Sequence, residues 1–370
     1  MKRIVIISFT DVLKDPRVNR QIRFLKEDYE IVAIGEGNLQ LDNVKVEKCL
    51  KESLTIKDKI VSGIKLLSNQ YENYYWSLRH IKKCADILNA YKPDYIIAND
   101  IDTLPVSIKH SNGAKVLFDA HEYSPRQFED RLKWRIFLQG YMKYLCKQYI
   151  PKADMMTTVC DGIAKEYSEK YNVNPTVITN SPDYEALEPS KIENKIRIIH
   201  HGIAISSRKI ENMINMMEYL DDRFELNLML VANQQKYYKK LKQMASGNRN
   251  IKFLEPVPMR EISKFINQFD MGLFLLEPVN FNYKNALPNK FFEYVQGRLA
   301  IAIGPSPEMK KLIDRYDLGV VSEDFTPKSL ANVVNSVTIK EVSRYKKNAN
   351  DAAFELSAKR NKKTIKSLLV

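Results

Sequence analysis

The chain has 370 residues, 44% hydrophobic and 28% charged, which leaves room for two ordinary domains with real cores and excludes a disordered chain. Its formal net charge of +13 suits phosphorylated small molecules or an anionic membrane surface; with no aromatic RNA-binding motif, zinc finger or long Arg-rich arm, nucleic acid is not an expected partner. The four cysteines, Cys49, Cys84, Cys146 and Cys160, are widely spaced without a C-x-x-C pair, which argues against a zinc site or a disulfide framework and fits a reducing cytoplasm.

The opening run MKRIVIISFT is too short for a signal-peptide core and predicts a buried first strand over 3–8. No stretch approaches the roughly 18 apolar residues of a spanning helix. Asp15-Pro16 predicts an N-cap followed by the first helical residue, with Val18, Ile22 and Leu25 on one face. Arg17, Arg20 and Arg23 fall elsewhere, as a solvated basic face or as a cradle for an anion. EIVAIGEG predicts the second strand, which completes a βαβ unit; no G-x-G-x-x-G occurs.

Residues 51–91 are polar with helical tendency, and Tyr74, Trp76, Leu78 and Ile81 are expected to pack. A strand over 95–98 breaks at Asn99-Asp100. Asp100-Ile101-Asp102 is open to two readings, an N-cap on the next helix or a D-x-D metal site. KVLFDAHEYSP is the next strand and loop. It puts His121 at a strand's carboxyl end, where open α/β sheets bind ligands. His80 and His110 read as surface residues.

The stretch 131–150 contains no Asp or Glu. Trp134, Leu138, Tyr141 and Leu145 recur at helical spacing, accompanied by Arg131, Lys133, Arg135, Lys143 and Lys147. This is either a core-facing helix with a basic outer face or a helix lying on anionic lipid. Strand, helix and strand follow, and the aperiodic segment 181–195 marks a domain boundary.

The second half opens with a strand over 196–199, a turn at His200-His201-Gly202, and a helix starting at Arg208 with Met213, Met216 and Met217 inward. Adjacent strand residues face opposite ways, which argues against one metal ion shared by His200 and His201. From Asn285 onward the text reads as loop, helix over 288–296, a stop at Gly297, a short strand, and Pro305 and Pro307. Free N–H groups at that helix start, with Lys290 in its first turn, suit a diphosphate. Glu293 suits two neighbouring ribose hydroxyls. The alternative is an ordinary βαβ unit with a solvated Lys290 and Glu293.

LPNKFFEYVQGRLAIAIGPSPEM, residues 287–309, closely resembles the donor-nucleotide signature of glycosyltransferase family 4. DPRVNRQIRFL, Asp119-Ala120-His121-Glu122 and the run 251–308 are similar to that family's text as well. The resemblance implies the GT-B fold: two doubly wound, Rossmann-like α/β domains facing a cleft, with a C-terminal helix crossing back to the first. The expected boundaries are 1–185 for an acceptor domain, 195–350 for a donor domain and 351–370 for the returning helix. The implied activity is retaining, metal-independent transfer of a hexosyl or N-acetylhexosaminyl group from a nucleotide sugar, with no cofactor. The implied acceptor is a glycan or lipid-linked glycan of bacterial surface polysaccharide synthesis. The expected location is cytoplasmic, peripheral on the inner face of the plasma membrane, with the basic tail 359–366 contributing.

By the same resemblance, Arg208 takes the position of a diphosphate-binding Lys, and Ile203 that of an Arg. Lys290 or Lys209 supplies the missing charge. Asn285 stands where the family has the first Glu of a Glu, seven residues, Glu pattern whose second member is Glu293. Glu255 replaces a Gly in the base-binding loop 254–257. The donor set is Arg208, Lys209, Asn285, Leu287, Pro288, Asn289, Lys290 and Glu293. His121 lies against the donor sugar as the catalytic-centre residue, and Arg17, Asn19 and Asp100 are on the acceptor side. Three rival readings remain at this point. One is a GT-A transferase using Asp100 and Asp102 with a metal; the others are a nucleotide-sugar 2-epimerase and a non-catalytic GT-B partner subunit.

Overall fold

A computed structural model describes residues 1–12, 14–37, 42–51, 53 and 55–369. Its contacts divide the chain into two units. One comprises Met1–Thr179, Asn280–Asn282 and Lys362–Val370; the other comprises Asn180–Val279 and Tyr283–Asn361.

The first unit is built on seven strands: β1 (Arg3–Asp11), β2 (Glu30–Glu36), β3 (Val44–Lys48), β4 (Tyr95–Asn99), β5 (Lys115–Ala120), β6 (Met155–Thr158) and β7 (Thr176–Val177). All pairs are parallel, in the order β3-β2-β1-β4-β5-β6-β7. Helices cover both faces of such a sheet, so its central strands read as unbroken apolar runs; Ile4, Val5, Ile6 and Ile7 are fully buried. β3 was not legible as a strand. The helix Pro16–Leu25 starts as its sequence predicts: the Asp15 carboxylate accepts from Arg17 N at 3.0 Å and Val18 N at 3.3 Å. Arg20, however, is buried with Val18, Ile22 and Leu25 rather than solvated.

The stretch expected as one helix over 131–150 is a continuous helical run from Leu132 to Tyr149, which widens to π-helical geometry over Arg135–Gln139 between α-helical Leu132–Trp134 and Gly140–Tyr149. Gly140 sits where a Cβ would come within 2.3 Å of the Tyr71 hydroxyl, so a larger residue there would push the Tyr71 ring aside. Trp134, Tyr141 and Leu145 are buried as the stripe predicts, while Leu132, Ile136 and Phe137 are exposed. Residues from Lys362 onward return to this unit. There Lys362 Nζ lies 3.3 Å from Glu27, Lys366 pairs with Asp28, and Tyr29 donates to Leu369 O at 2.9 Å. Among the described residues no helix is long and apolar enough to cross a membrane, and all four cysteines are buried thiols outside any disulfide.

The second unit has six strands: β8 (Ile196–Ile203), β9 (Phe224–Val231), β10 (Ile251–Leu254), β11 (Met271–Phe274), β12 (Ala300–Ile303) and β13 (Gly319–Val321). They too are all parallel, in the order β10-β9-β8-β11-β12-β13. Met213, Met216 and Met217 lie in its core as predicted. Strand β8 continues through His200 and His201 to Ile203, so the turn expected after residue 199 comes later. Lys346 is buried and donates to Asp270 at 3.0 Å, to Phe269 O at 2.9 Å and to Ser190 at 2.8 Å.

In both sheets the strand order reverses beside the first strand, at β1/β4 and at β8/β11. The crevice at the carboxyl ends of the strands flanking such a reversal is where this architecture binds ligands.

Candidate functional site

In the second unit, β8 delivers His201 and Gly202 to the switch point. Gly202 adopts φ +133°, a conformation open to glycine and strained for other residues. A Cβ added there would lie 3.2 Å from Lys290 Nζ and 3.4 Å from the Arg208 guanidinium. Two cations thus converge on a glycine backbone. Lys290 is buried, and its Nζ makes no hydrogen bond among the described residues; it lies over the face of the Phe274 ring, 4.3 Å from the ring centroid. Burial, reinforced by the Arg208 charge and opposed by Glu293, holds the Lys290 amine well below the usual lysine range.

Lys290 belongs to the helix Asn289–Gln296, whose N-cap, Pro288, provides no side-chain hydrogen bond. The first N–H groups therefore lack a side-chain cap, and the positive dipole end adds to the two cations. One turn on, Glu293 is buried with a carboxylate oxygen 3.4 Å from His201 Nε2. Burial, then Lys290 and Arg208, pushes His201 well below the usual histidine range, so it sits beside Glu293 as a neutral imidazole. His200 points to the other face, where Nδ1 lies 2.9 Å from Leu273 O and the ring stacks on Phe274.

In the first unit, His121 follows β5 directly. Its Nδ1 is 3.3 Å from Asp100 Oδ2, and its Nε2 is 3.4 Å from Asp119 Oδ2 and 3.1 Å from Asn99 Oδ1. Asp119 is buried and also accepts from Gln21 at 2.7 Å and Thr157 at 2.7 Å, with the Arg17 guanidinium 4.0 Å away. Burial would raise the Asp119 pKa, but His121 and Arg17 outweigh it and hold the carboxyl far below its usual range. For His121, burial and Arg17 oppose the charged ring, yet Asp100 and Asp119 prevail and its pKa is raised. Asp100 has φ +63°, an unusual backbone for a non-glycine residue, next to this cluster.

The expected residues sort as follows. Arg208, Lys290 and Glu293 come together in the second unit, and Arg17, Asp100 and His121 in the first. Arg208 does not start a helix. It ends the short turn Ser206–Arg208, because Lys209 takes a left-handed backbone and the helix begins only at Glu211–Met216. Lys209 pairs with Glu277, and Ile203 is exposed. Asn285 and Leu287 are buried, Pro288 and Asn289 half-buried, and Glu255 exposed. Asn19 accepts from Arg23 on its own helix. Asp100 and Asp102 diverge: Asp102 binds Lys51 at 2.5 Å, and the N-cap of the following helix is Thr103. Sequence reasoning missed Gly202, His201 and Phe274 around the cations, and Gln21, Asn99 and Thr157 around Asp119. A glycine after a buried strand is the one local signal that pointed there.

No protein-family model and no curated protein matches the chain. Solved structures do. The chain is similar to sucrose-phosphate synthase from Thermosynechococcus elongatus (TM-score 0.75, 10% identity, covering 100% of this chain and 98% of that one). It is also similar to Anabaena HepE in complex with UDP and glucose (TM-score 0.71, 14% identity, 100% and 99%). A third likeness is to WaaG, a glycosyltransferase involved in lipopolysaccharide biosynthesis (TM-score 0.66, 10% identity, 99% and 99%). At such identities the likeness establishes architecture: the protein has the GT-B fold, with two doubly wound parallel units, and the GT-A alternative is corrected by it.

Proposed function

We propose that the protein transfers a sugar from a nucleotide diphosphate to a glycan or lipid-linked glycan, as a retaining, metal-independent enzyme of bacterial surface polysaccharide synthesis. The observation that carries this reading is the convergence of buried Lys290 and half-buried Arg208 on Gly202, beside a helix start without a side-chain cap. Two desolvated cations facing one another repel, and a diphosphate placed between them removes that repulsion. As the donor's glycosidic bond breaks, charge grows on the leaving diphosphate, and these groups are already aimed at it. Glu293, beside neutral His201, receives the ribose hydroxyls. His121 keeps its Nε2 contacts with Asn99 and Asp119 and exchanges its Nδ1 contact with Asp100 for a hydrogen bond to the sugar, and the leaving phosphate takes the acceptor's proton. Fold neighbours support the donor class: HepE has been crystallised with UDP-glucose, and WaaG acts in lipopolysaccharide biosynthesis.

In this reading the protein works in the cytoplasm, at the inner face of the membrane. The tail lysines Lys362 and Lys366 are engaged with Glu27 and Asp28, so attraction to anionic lipid rests on Arg131, Lys133, Arg135, Lys143 and Lys147. The test is incubation with nucleotide sugars, an acceptor extract and excess chelator, with the product's anomeric configuration read by NMR. A new glycosidic bond with the donor's configuration supports the proposal. Donor consumed without acceptor would indicate the 2-epimerase, and no donor turnover the non-catalytic subunit.

A further inference from the structure

The helix Ile56–Leu67 buries a single residue, Leu66, and leaves Ile56, Ile60, Val61, Ile64 and Leu67 exposed. At this spacing they form a continuous stripe. The π-helical stretch Arg135–Gln139 packs against the same helix, and exposed Ile136 and Phe137 extend the stripe. The two meet at Gly63, where a Cβ would lie in ordinary contact with the Phe137 ring, 3.9 Å away. An aliphatic surface of this extent marks a place where something apolar is bound.

Beneath that helix is a cavity of about 500 Å³ within the first unit. Tyr75, Ile81 and Tyr141, all buried, form part of its wall. Lys57, Lys65 and Arg79 also line it. Its two acids are already engaged, Asp58 in a capping box with Thr55 and Asp102 with Lys51. Val61 belongs to both the cavity wall and the exposed stripe, so the apolar surface runs from the outside of the protein into the cavity.

We propose that this cavity binds an anionic amphiphile: a phosphate or diphosphate head on one long hydrocarbon chain. The head lies against Lys57, Lys65 and Arg79, and the chain runs along Val61 onto the exposed face of the helix. Cationic lining selects against neutral lipid, and an apolar path leading out selects against a free phosphate. The role of such a molecule as sugar acceptor rests on the transferase reading; its binding does not.

The test is calorimetric titration of the full-length protein with decyl phosphate below its micellar concentration, butyl phosphate and decyl glucoside. Decyl phosphate should bind one to one and at least tenfold tighter than either control, because each buried methylene tightens binding about fourfold. The Lys57→Glu/Lys65→Glu pair should weaken it at least tenfold, and Ser62→Trp, which fills the cavity, should do the same with the circular dichroism spectrum unchanged. Equal affinity for the glucoside, indifference to Ser62→Trp, or no binding of decyl phosphate overturns the proposal. Nucleoside diphosphate affinity, measured on the same sample, reports separately on the transferase reading.

Discussion

Lys290 Nζ lies 3.2 Å from the point that a Cβ on Gly202 would occupy. The glycine is required by its backbone conformation, and a methyl there would press the lysine amine aside by a few tenths of an ångström. Sequence places these residues almost ninety positions apart, and only the parallel pairing of β8 and β11 at the switch point brings them together.

Gly202→Ala should damage the site before it damages the fold. The left-handed backbone costs on the order of 1–3 kcal/mol in stability, and the methyl displaces Lys290. Nucleoside diphosphate affinity should fall about tenfold or more while the protein still melts cooperatively. Unaltered affinity would show that the cation pair is not the anion site.

The histidines should separate by pH. His121, with a raised pKa, should titrate above about 6.5, while His200 and His201 stay neutral across the accessible range. The raised His121 pKa means that its contribution to stability is complete below about pH 6.5 and is lost as pH rises through the folded value; the depressed Asp119 pKa means that its share is present above about pH 3.9 and is lost as pH falls. The stability difference between wild type and Asp119→Asn should thus be largest between these limits. NMR titration of the imidazoles checks the assignment, and a His121 resonance titrating below 6 would contradict it.

Glu293→Gln should weaken binding of the nucleoside alone, with no phosphate present, because the lost contact is to the ribose. Removing a hydrogen bond to a charged acceptor costs roughly 1.5–3 kcal/mol, about ten- to a hundredfold. If the nucleoside binds both forms equally, Glu293 is only the neighbour of His201.

Lys346→Ala tests the core of the second unit. Removing one partner of a buried pair costs about 3–5 kcal/mol, and Lys346→Ala should fall toward the lower end because Asp270 keeps the Arg197 guanidinium 3.7 Å away. Lys310→Ala, which breaks an exposed pair with Asp314, should cost less than about 1 kcal/mol. Denaturant melts of the two variants should differ accordingly; similar losses would mean that Lys346 contributes only as surface lysines do.

What could be read beforehand was local. Asp15-Pro16 caps its helix from within three residues, the apolar runs of the central strands are continuous, and Gly297 follows the helix Asn289–Gln296 directly. The edge strand β3 escaped notice because VKVEK is short and half-polar. Arg208 was placed at a helix start because nothing in the text marks Lys209 as left-handed. The partners of Asp119 were invisible for another reason: Gln21 and Thr157 are each far along the chain and meet it only through the order of β1, β4, β5 and β6.

The most direct test of the donor site is calorimetric titration of wild type, Lys290→Met and Arg208→Met with nucleoside diphosphates and the matching nucleosides, in the presence of chelator. Each substitution should weaken the diphosphate about ten- to a hundredfold, the cost of one charge-assisted hydrogen bond, and leave the nucleoside unaffected. Equal diphosphate affinity in all three proteins, or none in the wild type, would contradict the account.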